Sequence, residues 1–242
     1  MNPEPLPIYA QIAQELRQNI QQGVYQAGDK LPTETQLTQR FQVNRNTIRK
    51  AIATLKSEGL LRVIQGQGTF VAETPIQYTL GKRVRYNQTL NAQGFEIRFQ
   101  MLRSVEILAD LAIASALEIQ PEETVFLIER LSFANDQPIS ISTSYFPARH
   151  FPNLLSHQQQ MWSISTLVRQ IYGYDHIRRQ TQVSARVVQP EDARLLKLPL
   201  NYPVLFVESI NINQNNTVIE YGQTRFRSDR MELVFDNEKL KE

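Results

Sequence analysis

The chain has 242 residues, no cysteine, and 26 Lys and Arg against 24 Asp and Glu, a formal net charge of +2. The missing cysteines exclude disulfides, thiol catalysis and Cys-based metal sites, no stretch of about 18 apolar residues is present to cross a bilayer, and no basic-then-apolar leader opens the sequence. A cytoplasmic protein is expected, with length enough for two compact domains.

The charge is unevenly spread. Residues 1–75 hold eight basic and six acidic side chains and residues 76–242 eighteen of each, so the whole excess lies in the first third. It is densest from Arg40 to Arg62, where Arg40, Arg45, Arg49, Lys50, Lys56 and Arg62 face one acid, Glu58. A local basic patch on a near-neutral chain points to a polyanion-binding module joined to something else. The histidines, His150, His157 and His176, show no i, i+4 pairing of the kind a helix-borne metal site needs, so no metal site is expected and structural or surface roles are assigned to all three.

In chain order, Ile8, Ile12, Leu16 and Ile20 form a helical stripe over 7–22, with Pro7 at its start. Thr33 and Gln36 make a capping-box pattern for a short second helix carrying Leu37 and Phe41. Asn44 caps a third, from Arg45 to about Glu58, ended by Gly59. Its apolar positions Ile48, Ala51, Ile52 and Leu55 are spaced i, i+3, i+4, i+7, which leaves Arg45, Asn46, Arg49, Lys50 and Lys56 largely on the other face. LLRVIQ and TFVA then read as two strands joined by Gly66-Gln67-Gly68.

Residues 74–81 show no clear period and are expected to be a linker between domains at 1–73 and 82–242. Beyond them, strands are predicted at 97–108, 124–134, 138–146, 177–188, 203–213 and 217–226, and helices at 109–117, 164–172 and 190–196. Hairpin turns fall at Asn135-Asp136-Gln137 and Asn213–Asn216. The fold class is α+β, with a largely antiparallel sheet in the second domain.

Three helices followed by a hairpin form a winged helix-turn-helix arrangement. A charge run alone is usually a solvated face, but here hairpin, glycine turn and charge agree. Arg45 and Arg49, four apart, can approach one major groove, where Arg matches guanine O6 and N7 and Asn46 can serve adenine or a phosphate. Glycines at 66 and 68 let the wing tip lie close against a phosphate or the minor groove of duplex DNA.

Residues 7–72 resemble the DNA-binding domain of the GntR superfamily of bacterial transcription regulators, through Pro7-Ile8-Tyr9, Leu31-Pro32-Thr33-Glu34, Phe41 through Ala51, Glu58-Gly59-Leu60 and Gly66 through Val71. The resemblance implies DNA contacts from Arg45, Thr47, Arg49 and Gly68. The full candidate set is Thr33, Glu34, Arg45, Asn46, Thr47, Arg49, Lys50, Gly66, Gln67, Gly68 and Thr69. Thr35 departs from the pattern, since many members carry a basic residue there.

Residues 80–236 resemble the ligand-sensing UTRA domain of the HutC subfamily, similar in fold to chorismate lyase. The similarity is carried by Glu129-Arg130-Leu131, Pro138, Ser144 through Pro147, Ser163 with Tyr172-Gly173, Glu220-Tyr221 and Arg227 through Arg230. Within it, residues 83–94, 178–199 and 227–235 are most similar to PhnF-like regulators of phosphonate uptake and breakdown. This implies a homodimeric, ligand-responsive repressor with double-stranded operator DNA and a small phosphonate- or phosphate-containing effector as partners, no membrane and no cofactor. The candidate effector residues are Arg83, Arg85, Asn87, Gln88, Arg130, Ser163, Glu220, Arg225 and Arg227, because guanidinium groups pair with such oxygens two at a time. Ser132 and Ser142 stand where sugar-phosphate-sensing relatives are expected to have Arg and Glu, and Phe226 where Tyr is common, which disfavours a sugar ring. The alternatives are an amino-sugar phosphate, small organic acid or fatty acid effector, and a chorismate-lyase-like enzyme. Against the enzyme, no nucleophile or acid–base pair stands out at a usable spacing.

Overall fold

The structure, a computed structural model, describes residues 6–64, 66–72, 75–158 and 163–235. Gln65 of the expected first wing strand, residues 73 and 74 of the expected boundary, and the expected domain ends at 1–5 and 236–242 lie outside them. The chain divides into two compact units, Met1–Thr74 and Pro75–Glu242. Among the described residues no helix is long and apolar enough to cross a membrane.

The first unit contains α1 (Ile8–Gln21), α2 (Glu34–Phe41) and α3 (Arg45–Ser57), then β1 (Leu61–Ile64) paired antiparallel with β2 (Gly68–Val71). Both predicted caps are present. The Thr33 hydroxyl accepts from the Gln36 N–H while the Gln36 side chain accepts from the Thr33 N–H, and the Asn44 side chain accepts from the Thr47 N–H. The helix stripes meet in one core of Ile12, Leu16, Leu37, Ile48, Ala51, Leu55 and Leu61. Ile8, at the end of its stripe, is 59% exposed. Packing every apolar position of α3 inward leaves its cationic positions outside.

The second unit is built on a six-stranded antiparallel sheet in the order β4-β5-β6-β9-β8-β7. Its strands are β4 (Ile97–Leu108), β5 (Thr124–Ala134), β6 (Gln137–Pro147), β7 (Ile177–Val187), β8 (Pro203–Ile212) and β9 (Val218–Arg227). Asn135 and Asp136 make the β5–β6 turn at φ 46 and 61. Helices α5 (Leu111–Leu117) and α8 (Pro190–Leu196) pack on one face of the sheet; α6 (Leu154–Gln158) and α7 (Ile164–Tyr172) pack at one end of the other.

Expectation fails between 76 and 91. Residues 76–80, read as linker, are strand β3 (Ile76–Leu80), paired in parallel with β10 (Met231–Phe235), and α4 (Tyr86–Asn91) follows. Ile76, Tyr78 and Leu80 are buried, with more exposed residues between them. That period-two alternation is in the sequence, but Pro75 and Gly81 leave it only five residues long. β3, α4 and β10 cover the far end of the sheet face that carries α6 and α7, packing on Ala134, Val207 and Phe226. A strip of largely buried polar side chains remains between the two ends.

Candidate functional site

The first candidate surface is the outer face of α3. Arg45 and Arg49 are each 59% exposed at the side chain, and their Nε atoms lie 3.4 and 3.1 Å from Glu34 Oε2. Arg45 Nη2 also donates to Thr35 Oγ1 at 3.3 Å. Glu34, in the first turn of α2, thus aligns both guanidinium groups instead of standing free. Exposed pairs of this kind contribute roughly 0–1 kcal/mol, less than the about 1–3 kcal/mol of a bidentate contact to a base, so DNA can replace the carboxylate. Asn46 and Lys50 are exposed beside them.

Other predicted positions are already engaged. The Thr33 hydroxyl is held within its capping box, and Thr47 Oγ1 donates to Asn44 Oδ1 at 3.0 Å. Arg40 pairs with Glu15 at 2.8 Å, and Arg62 packs over the Phe70 ring at 5.8 Å. Part of the basic cluster counted in the sequence is therefore structural. At the wing, Gly66 (φ +76), Gln67, Gly68 (φ +126) and Thr69 make the turn into β2. A Cβ on Gly68 would lie 2.8 Å from Lys30 Cε. Lys30 was missed because it lies in the loop before α2. Its bridge to Phe70 brings a further cation to the wing.

The second candidate site is a cavity of about 280 Å³ on the polar strip of the large sheet. Register explains its floor. Arg130 lies opposite Ser142 and Ser132 opposite Ser140; Ser142 lies opposite Thr224, and Ser144 opposite Gly222. On the next strand Gly222 faces Ser209 and Glu220 faces Asn211. All of these project to one face and line the cavity. Ser163, Ile164, Ser165 and Thr166 bring the start of α7 to its wall, and Arg83, Arg85, Asn87 and Gln88 bring the segment around the start of α4. Helix starts favour anions through unpaired backbone N–H groups.

The cavity joins Arg83, Arg85, Asn87, Gln88, Arg130, Ser163 and Glu220 of the predicted set. Arg225 and Arg227 are corrections. On β9, Glu220, Gly222, Thr224 and Phe226 point into the cavity, so 225 and 227 alternate to the opposite face. There Arg225 pairs with Glu129 at 3.0 Å and Asp192 at 3.2 Å, while Arg227 pairs with Asp229 at 2.7 Å and donates to the Leu196 carbonyl. Even and odd positions of one regular strand cannot share a face. Arg83 reaches the cavity but is paired with Asp175 at 3.3 Å.

Buried charge is arranged around Glu220. Its Oε2 lies 2.6 Å from His176 Nε2 and accepts from Asn211 Nδ2 at 2.7 Å. Burial alone would push the carboxyl up, but His176, Ser144 and Asn211 outweigh it and hold it at about 2. His176 Nδ1 lies 2.9 Å from Ser165 Oγ, which donates to the Val84 carbonyl at 3.0 Å. His176, treated from sequence as structural or surface, is buried and lines the cavity. Burial pushes the Arg130 guanidinium down to about 10, opposed by Glu220 and Tyr86, and Arg130 stacks on Phe99 at 4.8 Å. Burial pushes the Tyr86 phenol up to about 12, and its hydroxyl lies 3.2 Å from Ser140 Oγ. Arg169 and Arg178, both missed, add to the cationic lining. A single arginine in a helix and one of an adjacent Arg178-Arg179 pair in a strand carry no local motif that announces them.

Known proteins combine the same two parts. The family described as "Bacterial regulatory proteins, gntR family" matches residues 8–71, and the UTRA domain matches residues 92–232. An uncharacterized HTH-type transcriptional regulator of Rhizobium meliloti (strain 1021) is 33% identical over 93% of each chain. The regulator named PhnF in Escherichia coli (strain K12) is 32% identical over 95% of each. The repressor NagR of Bacillus subtilis (strain 168) is 28% identical over 98% of this chain and 97% of its own. The crystal structure of PhnF from Mycobacterium smegmatis shares the fold with a TM-score of 0.65 at 22% identity, covering 95% of this chain and 98% of that one. With both domains matched in order, this chain belongs to the GntR family of bacterial regulatory proteins in its HutC-type form with a UTRA domain, and is a transcriptional regulator, not an enzyme.

Proposed function

We propose that the protein is a cytoplasmic, homodimeric repressor of phosphonate uptake and metabolism genes, controlled by a small phosphonate in the sheet cavity. Each winged helix takes one half-site of a two-fold operator, with Arg45, Arg49 and Asn46 at the major groove and the wing against the backbone. The observation that carries the effector class is the cavity lining. Arginine side chains, a helix start and a floor of serine hydroxyls surround one space, and two carboxylates in it, Asp175 and Glu220, are already paired. Such a site stabilises a compact polyoxygen anion. The similarity to PhnF-like regulators supports the same class, and serines at 132 and 142 leave no Arg–Glu pair for a sugar ring. Effector changes DNA occupancy only through its different affinity for the DNA-bound and free forms.

The test is fluorescence anisotropy on labelled duplex from upstream of the protein's own gene, with and without millimolar ethylphosphonate. A tenfold or greater weakening of DNA binding is expected. Unchanged affinity with ethylphosphonate, together with weakening by glucosamine 6-phosphate, would replace the effector class.

A further inference from the structure

Arg178, near the start of β7, lines the cavity and ties down the stretch that includes β3. Its Nη1 donates to the Gly81 carbonyl at 3.0 Å and its Nη2 to the Tyr78 hydroxyl at 2.9 Å. Its backbone N–H donates to the Lys82 carbonyl at 2.6 Å. Its Nε is buried and has no hydrogen-bond partner among the described residues. A buried N–H without an acceptor is costly and calls for a reason.

The geometry of the guanidinium supplies one. Nε and Nη2 form a parallel fork that fits two oxygens of one oxyanion. Two other arginines in this chain use that fork: Arg17 holds Glu58 at 3.0 Å from Nε and 2.7 Å from Nη2, and Arg227 holds Asp229 at 3.0 and 2.7 Å. In Arg178 the same edge is half used, with Nη2 on a neutral phenol.

We propose that the Nε/Nη2 edge of Arg178 anchors the acidic group of the effector, and that the anion takes this edge by displacing the Tyr78 hydroxyl. The inference rests on reading the cavity as an effector site, and adds which atoms hold the acid and which contact is given up. Bonds from a guanidinium to an oxyanion are stronger than bonds to a phenol. Nε is buried and Nη2 is held by the Tyr78 hydroxyl, so an anion that takes both donors gives up that contact as it binds. The ligand class is a phosphonate, phosphate monoester or carboxylate presenting two oxygens side by side. Tyr78 belongs to β3, which begins one residue after Pro75, so its release loosens the first strand of the effector unit.

The full-length protein is titrated calorimetrically with ethylphosphonate, glucosamine 6-phosphate and succinate, as wild type, Arg178→Gln, Arg178→Lys and Tyr78→Phe. Hydrogen exchange of residues 76–85 is followed with and without each acid. Whichever acid binds wild type is expected to bind at least tenfold more weakly to Arg178→Gln, with Arg178→Lys between, since a lysine keeps charge without the fork. Tyr78→Phe, which keeps the ring packing, is expected to bind severalfold more tightly, and exchange in 76–85 rises on binding only where Tyr78 is present. An acid that binds Arg178→Gln within twofold of wild type, or a Tyr78→Phe protein that binds more weakly, overturns the inference, as does binding by none of the three. If glucosamine 6-phosphate or succinate shows this dependence and ethylphosphonate does not bind, the phosphonate reading falls while the Arg178 anchor stands.

Discussion

Arg49 Nε lies 3.1 Å from Glu34 Oε2, so the start of one helix orients a cation on the exposed face of the next. The same carboxylate oxygen lies 3.4 Å from Arg45 Nε. Glu34 therefore draws two exposed side chains toward one carboxylate before DNA arrives, and screens them from non-specific phosphates. Glu34→Gln is expected to raise affinity for random duplex severalfold and to lower the cognate-to-random ratio, measured by anisotropy at fixed salt. Arg45→Ala and Arg49→Ala should each cost roughly 1–3 kcal/mol on the cognate site. Equal losses on random DNA would make them phosphate contacts.

Gly68 combines φ +126 with a neighbour, Lys30 Cε, only 2.8 Å from where a Cβ would stand. Gly68→Ala is expected to destabilise the wing by roughly 1–3 kcal/mol through backbone strain and to weaken DNA binding. Adding Lys30→Ala removes the steric part and leaves the strain, so thermal melts of the double variant should recover only a fraction. Full recovery would show that the backbone conformation is not the cause.

Arg225 tests the strand-parity argument. It is bound to Glu129, Asp192 and Thr143 on the face away from the cavity. Arg225→Gln strands two partly buried carboxylates and should cost roughly 3 kcal/mol in urea unfolding. Effector affinity should stay within twofold of wild type. A tenfold loss of affinity with little loss of stability would return Arg225 to the binding site.

Glu220 carries a pH signature. Its carboxyl is held at about 2, below its ordinary 4.5, so the folded state prefers the ionised form. The stability this adds is complete above about pH 4.5 and is lost as pH falls toward 2. Melting temperatures of wild type and Glu220→Gln should differ most at pH 6 and converge as pH is lowered through that window. A difference independent of pH would mean that its charge is not what matters.

The head was legible because its information is local. Capping residues at Thr33 and Asn44, the i, i+3, i+4 stripe of α3 and the glycine turn each specify one element, and packing α3 by its apolar side leaves Arg45 and Arg49 outside. The six strands of the large sheet and helices α5, α7 and α8 were legible for the same reason, but β10 was not predicted. β3 was not, since five alternating residues between a proline and a glycine resemble a linker until β10, more than 150 positions later, pairs with them.

Sequence alone placed Arg45, Asn46, Arg49 and Lys50 away from the apolar side of α3 and several arginines and serines near strands. Only the tertiary structure decided which of them share a cavity. Strand pairing and register assign each residue to a face, and that assignment sent Arg225 and Arg227 to structural pairs while bringing His176 and Arg178 to the site. The partners that set a buried side chain's role are contributed by strands far apart in the chain, so no local pattern records them.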